Sequence, residues 1–139
     1  MGRNTRSAKD RLEMDIKDQV VVVTGGGAGI GSALARASVL RGARAIAVAD
    51  INGDKAKAVA NEIGGESYKV NVSSEEEIVG LVNDVESRHG PIGLFCSNAG
   101  FVTSAGLEDT NERIQNMWDV HVMAHIYAAR AVLPQMIAN

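Results

Sequence analysis

Residues 20–34 read V-V-V-V-T-G-G-G-A-G-I-G-S-A-L, and the fold turns on this stretch. Val20, Val21, Val22 and Val23 are apolar on both faces of a strand, the pattern of a parallel strand buried under helices on each side. Thr24 ends that run. The glycines at 25, 26, 27, 29 and 31 let the backbone turn tightly and let a ligand approach without Cβ interference. Ile30, Ala33, Leu34 and Ala37 then begin a helical pattern. The product is a strand, a glycine turn and a helix N-terminus. Such a helix end presents unpaired N–H groups and about half a positive charge, so an anion of the pyrophosphate type is its natural ligand.

Composition sets the frame around that turn. The 139 residues suit one domain able to bury a real core. With 45% apolar residues, 22% charged residues and a net charge of −3, the chain has no basic footprint for nucleic acid. Cys96 is the one cysteine, which rules out an internal disulfide framework and suits a reducing compartment. No run approaches the roughly 18 apolar residues of a membrane span. The expectation is a cytoplasmic protein with neither nucleic acid nor membrane as partner. Residues 1–14, with Arg3, Arg6, Lys9 and Arg11, read as a flexible N-terminal tail that lacks the apolar stretch of a secretory signal. Residues 15–139 read as the folded domain, and Met14 is a candidate native start.

Further along, strands and helices alternate. A first helix over about 29–41 closes at Gly42, and Ala43 to Ala49 reads as the second strand. Asp54 to Ile63 forms the next helix, closed by Gly64-Gly65, and Ser67 to Val72 alternates as a third strand. Ser73-Ser74 with Glu76 and Glu77 starts a helix whose buried face is Ile78, Leu81, Val82 and Val85. His89-Gly90-Pro91 ends it, and Ile92 to Cys96 is the fourth strand. A loop from Phe101 to Leu107 leads to a helix over roughly 110–137, weakened near Pro134. This alternation predicts an α/β fold, a Rossmann-type doubly wound parallel sheet in the order 3-2-1-4.

Asp50 lies 19 residues past Gly31, close to the roughly 20-residue offset at which a Rossmann carboxylate takes the adenosine ribose hydroxyls. A carboxylate there repels a 2′-phosphate. The residues beside it, Ile51 and Asn52, and Ala28 in the turn offer no cation, so the sequence favours NAD over NADP. The other reading of Asp50 is a simple strand-end residue.

The spacing T-G-x-x-x-G-x-G, carried by Thr24, Gly25, Gly29 and Gly31, resembles the glycine signature of the short-chain dehydrogenase/reductase family, with Ile30 inside it. The resemblance extends over about residues 14–139. Asn98-Ala99-Gly100, at the end of the fourth strand, is similar to the family's N-A-G motif beside the nicotinamide ribose. Asn71-Val72 stands where the family has Asp-Val lining the adenine pocket, and Asn keeps a carbonyl acceptor there, the other reading being a strand-end turn residue. M-W-D-V-H-V-M-A-H resembles the fourth-helix motif, with His121 at the position of an Asn that holds a water in the proton relay. His121 is therefore a candidate catalytic residue, the other reading being that His121 and His125 are packing residues. The pair lacks the Glu and third ligand of a zinc site, so no metal is expected. Met117, Val120, Ala124, Ala128 and Ala131 form an apolar stripe that in the family is often a subunit contact, which implies a homo-oligomer.

The resemblance implies an NAD-dependent oxidoreductase moving hydride between nicotinamide and an alcohol or ketone. The family's Ser and Tyr-x-x-x-Lys are not among these residues: the tyrosines are Tyr68 and Tyr127, and Ala131 stands four beyond the latter. The 139 residues alone are expected to be inactive, and a silent dinucleotide-binding module is the alternative reading. The order 3-2-1-4 puts Ile92 to Cys96 at an open apolar edge. The isolated polypeptide is accordingly expected to self-associate, to aggregate or to require a missing half, and a monodisperse monomer in sedimentation velocity would count against that arrangement.

Overall fold

The computed structural model describes residues 15–103 and 106–139. The tail 1–14, and Ser104 and Ala105 of the loop expected to border the substrate, lie outside the described residues. At the centre is β1 (Val20–Thr24), flanked by β2 (Ala45–Asp50) and β4 (Ile92–Cys96), with β3 (Glu66–Lys69) beyond β2. All pairings are parallel and the order is β3-β2-β1-β4, as the alternating pattern predicts.

The valine run divides by parity, as a pleated strand requires. Val21 and Val23 face α1 (Gly29–Leu40) and α2 (Gly53–Ile63), packing with Ala35, Ile46, Val48, Ala56 and Val59. Val20 and Val22 face the opposite layer, made by α3 (Glu75–His89) and α5 (Ala124–Ala138), with Ile78, Val82, Val85, Ala124 and Ala128. A strand buried on both sides needs this uninterrupted apolar sequence. Thr24, at its end, is 1% exposed and points its hydroxyl at the crevice where the sheet stops.

Three expectations are corrected. Pairing of β3 stops at Lys69 and not at Val72, because Asn71 Oδ1 accepts the Ser73 N–H at 3.0 Å and turns the chain toward α3. The continuous helix over 110–137 is divided into α4 (Asn111–Trp118), a π-helical turn (Asp119–Met123) and α5. Pro134 lies within α5, which runs on to Ala138. The stripe expected at a subunit contact is largely spent inside the chain, since Val120, Ala124 and Ala128 are buried in the core beside β4 and α3. Spacing locates the apolar face of a helix but not the surface that covers it.

Beyond β2, the β3 edge is tied to α3 by a polar cluster. The Tyr68 phenol lies 2.8 Å from Glu66 Oε2 and 2.9 Å from Asp84 Oδ2 and shares its one proton between them. Arg88 pairs with Asp84 at 2.9 Å and His89 approaches Glu66 at 3.2 Å. The Tyr68 hydrogen bond is the largest influence holding both carboxyls below the usual range, while burial, then the carboxylates, push the phenol up. Lowered carboxyl pKa values stabilise the fold above the unfolded carboxylate pKa, and that contribution is lost as pH falls through the folded values. The raised phenol stabilises below about pH 10 and loses this as pH rises through its folded value. Stability should therefore plateau between about pH 5 and 9. Tyr68→Phe should flatten both limbs of a denaturation-midpoint profile against pH, and an unchanged profile would show the cluster to be energetically idle.

Candidate functional site

The crevice at the C-terminal ends of the strands gathers nearly every residue singled out by the sequence. Thr24 organises it. Its hydroxyl donates to the Cys96 carbonyl at 3.4 Å and accepts the N–H groups of Asn98 at 3.0 Å and Ala99 at 3.2 Å. Asn98 returns the link, donating from Nδ2 to the Thr24 carbonyl at 3.1 Å. The ends of β1 and β4 are thus sewn together, and the Thr24 hydroxyl, with one bond given and two received, is fully used inside the protein.

Above this clamp the chain folds back on itself. Gly25 and Gly29 take φ of +65° and +53°, the left-handed region where a side chain is costly. A Cβ at Gly31 would overlap the Gly25 carbonyl oxygen and sit 2.7 Å from Asn98 Nδ2, so this close approach of turn and helix admits glycine alone. The turn then delivers α1 with its donors unspent. α2 is capped by Asn52, α3 by Ser74 and α4 by Thr110, each side chain accepting a backbone N–H, and each has an acid in its first turn. The N-cap of α1 is Ala28, whose side chain has no oxygen to offer, and no acid stands in its first turn. Ile30 is 75% exposed beside these free N–H groups. Unpaired donors at a positive helix end are the physical requirement of an anion site.

Two cavities extend from the turn. One, of about 420 Å³, is lined by Gly25, Ala28 to Gly31, Asp50 to Asn52, Lys55 and Asn98 to Gly100. The other, of about 230 Å³, shares Gly25, Asp50, Ala99 and Gly100 with it and adds Asn71, Val72, Ser73 and Phe101. Together they form a groove across the strand ends. Asp50 is the last residue of β2, and its two carboxylate oxygens accept the Gly27 and Asn52 N–H groups, each at 2.9 Å. It therefore shapes the turn as well as facing the groove.

His121 lies on the π-helical turn with its ring against Gly100, at the rim of the groove. Its Nε2–H donates to the Phe101 carbonyl at 2.8 Å, and the two rings meet at a centroid distance of 5.5 Å. A third cavity, of about 450 Å³, is lined by His121 with Leu107, Ile114, Met117, Trp118 and Val122. The π turn separates His121 from its neighbour four residues on: His125 Nδ1 instead meets Ser97 Oγ at 2.6 Å. Burial pushes up the thiol of Cys96, in the strand just before Ser97.

Sequence reasoning missed two residues of the groove wall. Ser73 lines the smaller cavity with a buried hydroxyl that has no hydrogen-bond partner among the described residues. Lys55 lines the larger one, which corrects the reading that no basic residue stands near Asp50. A serine at a strand exit and a lysine in a helix first turn carry no motif. The signal lies in the fold alone, because the N-terminus of α2 returns beside the glycine turn.

A parallel sheet, a glycine turn with an uncapped helix, and an acid at the end of the next strand together define a Rossmann-type α/β domain. A family profile described as short chain dehydrogenase matches residues 19–139, and the chain belongs to that family. It is 32% identical over 126 residues to an uncharacterised oxidoreductase of Staphylococcus aureus (strain MRSA252), covering 88% of this chain and 54% of the relative. It is 36% identical over 108 residues to a (+)-cis,cis-nepetalactol synthase of Nepeta racemosa, covering 76% of this chain and 38% of that one. Among solved structures, a hydroxysteroid dehydrogenase from Escherichia coli superimposes with a TM-score of 0.83 at 27% identity, over 91% of this chain and 55% of that one. A 7α-hydroxysteroid dehydrogenase complexed with NADH and 7-oxo glycochenodeoxycholic acid gives 0.82 at 26% identity, over 90% of this chain and 51% of the other. The chain thus spans about half the length of these oxidoreductase and dehydrogenase relatives.

The Thr24 clamp can be tested by stability. In the full-length protein Thr24→Val leaves the Asn98 and Ala99 N–H groups without an acceptor, at a cost of about 2–3 kcal/mol, while Thr24→Ser retains the hydroxyl and most of the stability. Urea denaturation measures both, and equal losses in the two variants would mean that the methyl group, not the hydroxyl, holds the crevice.

Proposed function

We propose that this chain supplies the cofactor-binding part of an NAD(H)-dependent oxidoreductase that moves hydride between nicotinamide and an alcohol or ketone. The observation that carries the reading is the uncapped N-terminus of α1 opening on a groove whose far side is Asp50. The free N–H groups at Gly29, Ile30 and Gly31 would take the diphosphate, and Asp50 the adenosine ribose hydroxyls. Asn71 and Val72 would line the adenine site and Asn98, Ala99 and Gly100 the nicotinamide end; Thr24 and Gly25 hold the turn between them. When bound, the nicotinamide supplies or accepts the hydride, and the protein contributes orientation and electrostatics. The NADH complex of the similar 7α-hydroxysteroid dehydrogenase supports this class of cofactor.

His121 is proposed as the family's relay residue in altered form. With Nε2–H committed to the Phe101 carbonyl, Nδ1, which lies close to Gly100, remains to accept from a water. The apolar cavity beside it, lined by Leu107, Ile114 and Trp118, favours a substrate with a sizeable hydrocarbon body. General acid–base assistance, worth roughly 100- to 10,000-fold, has no tyrosine here to perform it. Tyr68 is bound to Glu66 and Asp84 at the β3 edge, and Tyr127 has no lysine four residues on. The complete enzyme would bring its own proton donor to this crevice. Localisation in the cytoplasm fits the single cysteine, and among the described residues no helix is long and apolar enough to cross a membrane. Exposed Ile126, Leu133 and Ile137 on the outer side of α5 support a homo-oligomer.

Equilibrium titrations of full-length protein with NAD and NADP test the assignment. Asp50→Asn keeps one carbonyl acceptor for the turn while removing the charge, and it should narrow the NAD preference by about tenfold. His121→Leu should lower kcat by roughly tenfold with no change in that preference. Wild-type protein that bound neither dinucleotide, or an Asp50→Asn ratio equal to wild type, would remove the reading.

A further inference from the structure

Lys55 occupies a place in the groove that its position in the sequence does not announce. A Cβ built on Gly27 would lie 2.7 Å from Lys55 Cβ and 2.8 Å from Asp50 Oδ2, so the lysine stem and the carboxylate flank the same bare Cα. The Lys55 N–H donates to the Asn52 side chain at 3.1 Å, the cap that fixes the first turn of α2 and hence where the lysine begins. From there it lines the groove with Asp50, Ile51 and Asn52. Its side chain is exposed, and among the described residues no ion pair or side-chain hydrogen bond engages its ammonium.

The charges on this wall are therefore unequally occupied. Asp50 is already accepting two backbone N–H groups, whereas the lysine beside it has all three donors unspent. We propose that Lys55 is a specificity-determining residue: its ammonium takes a phosphate on the 2′ position of the adenosine ribose, so the groove admits NADP beside NAD. Asp50 then sets a preference, not an exclusion. The two side chains act on a 2′-phosphate with opposite sign from either side of Gly27, and a lysine on a flexible four-carbon stem can follow the phosphate where a carboxylate fixed by two amides cannot move away. Because the ammonium is exposed, its contribution falls with ionic strength, since the Debye length is about 10 Å at 0.1 M salt and about 3 Å at 1 M. Gly27 is part of the device. Any side chain there would displace the lysine stem from the groove wall.

The inference rests on the dinucleotide reading of the groove, and the experiment separates the two. Dissociation constants for NAD and NADP are measured by titration of the full-length protein, wild type, Lys55→Ala, Lys55→Arg and Lys57→Ala. Lys57, an exposed α2 residue outside the groove lining, controls for general charge. Lys55→Ala should widen the NAD-to-NADP preference about tenfold at low salt, and the widening should shrink in 1 M salt. Lys55→Arg should restore the wild-type ratio and Lys57→Ala should leave it within about twofold. A Lys55→Ala ratio equal to wild type, or an equal shift in Lys57→Ala, overturns the role of Lys55 while leaving NAD binding standing. Wild-type protein that binds neither dinucleotide overturns both.

Discussion

The crevice depends on the hydroxyl of Thr24, a single buried oxygen that joins the end of the central strand to the turn after β4. Parallel strands end on the same side of a sheet, which brings two loops together without specifying how they touch. Here one donated and two accepted hydrogen bonds set that contact, in a place where water has no access to substitute for a lost partner. The Asn98 amide completes it and then lies against Gly31, so the spacing between α1 and the N-A-G turn is set by side chains that are themselves immobilised. A wall built in this way holds its shape before any ligand arrives.

What makes the wall a site is the contrast between spent and unspent polar groups. Asn52, Ser74 and Thr110 neutralise the N-termini of α2, α3 and α4, whereas α1 begins at Ala28 with its donors open. Asp50 stands between these conditions. Its oxygens satisfy the Gly27 and Asn52 amides, yet each retains lone-pair capacity toward the groove. The same carboxylate can brace the turn and receive hydroxyl donors, and a change there disturbs both.

The apolar cavity beside His121 belongs to a different part of the architecture. It is made by the π-helical turn and the residues around it, where the wider helical geometry turns His121 toward the Phe101 carbonyl while His125 reaches Ser97. The chain spans about half the length of these relatives. Among the described residues β4 pairs with β1 alone.

The amino-acid sequence by itself determined the order of elements, the two-faced burial of Val20 to Val23 and the glycine turn, because strand parity, helix period and the needs of a tight turn are local properties. It also marked Asp50, the last residue of β2, and Asn98, two residues past the end of β4. Only the tertiary structure decided that the Val120, Ala124 and Ala128 stripe is covered from within, that His121 and His125 part company, and that Lys55 and Ser73 stand on the groove wall. These depend on which surfaces meet after the chain has crossed the sheet, and periodicity along a segment contains no measure of what lies opposite it.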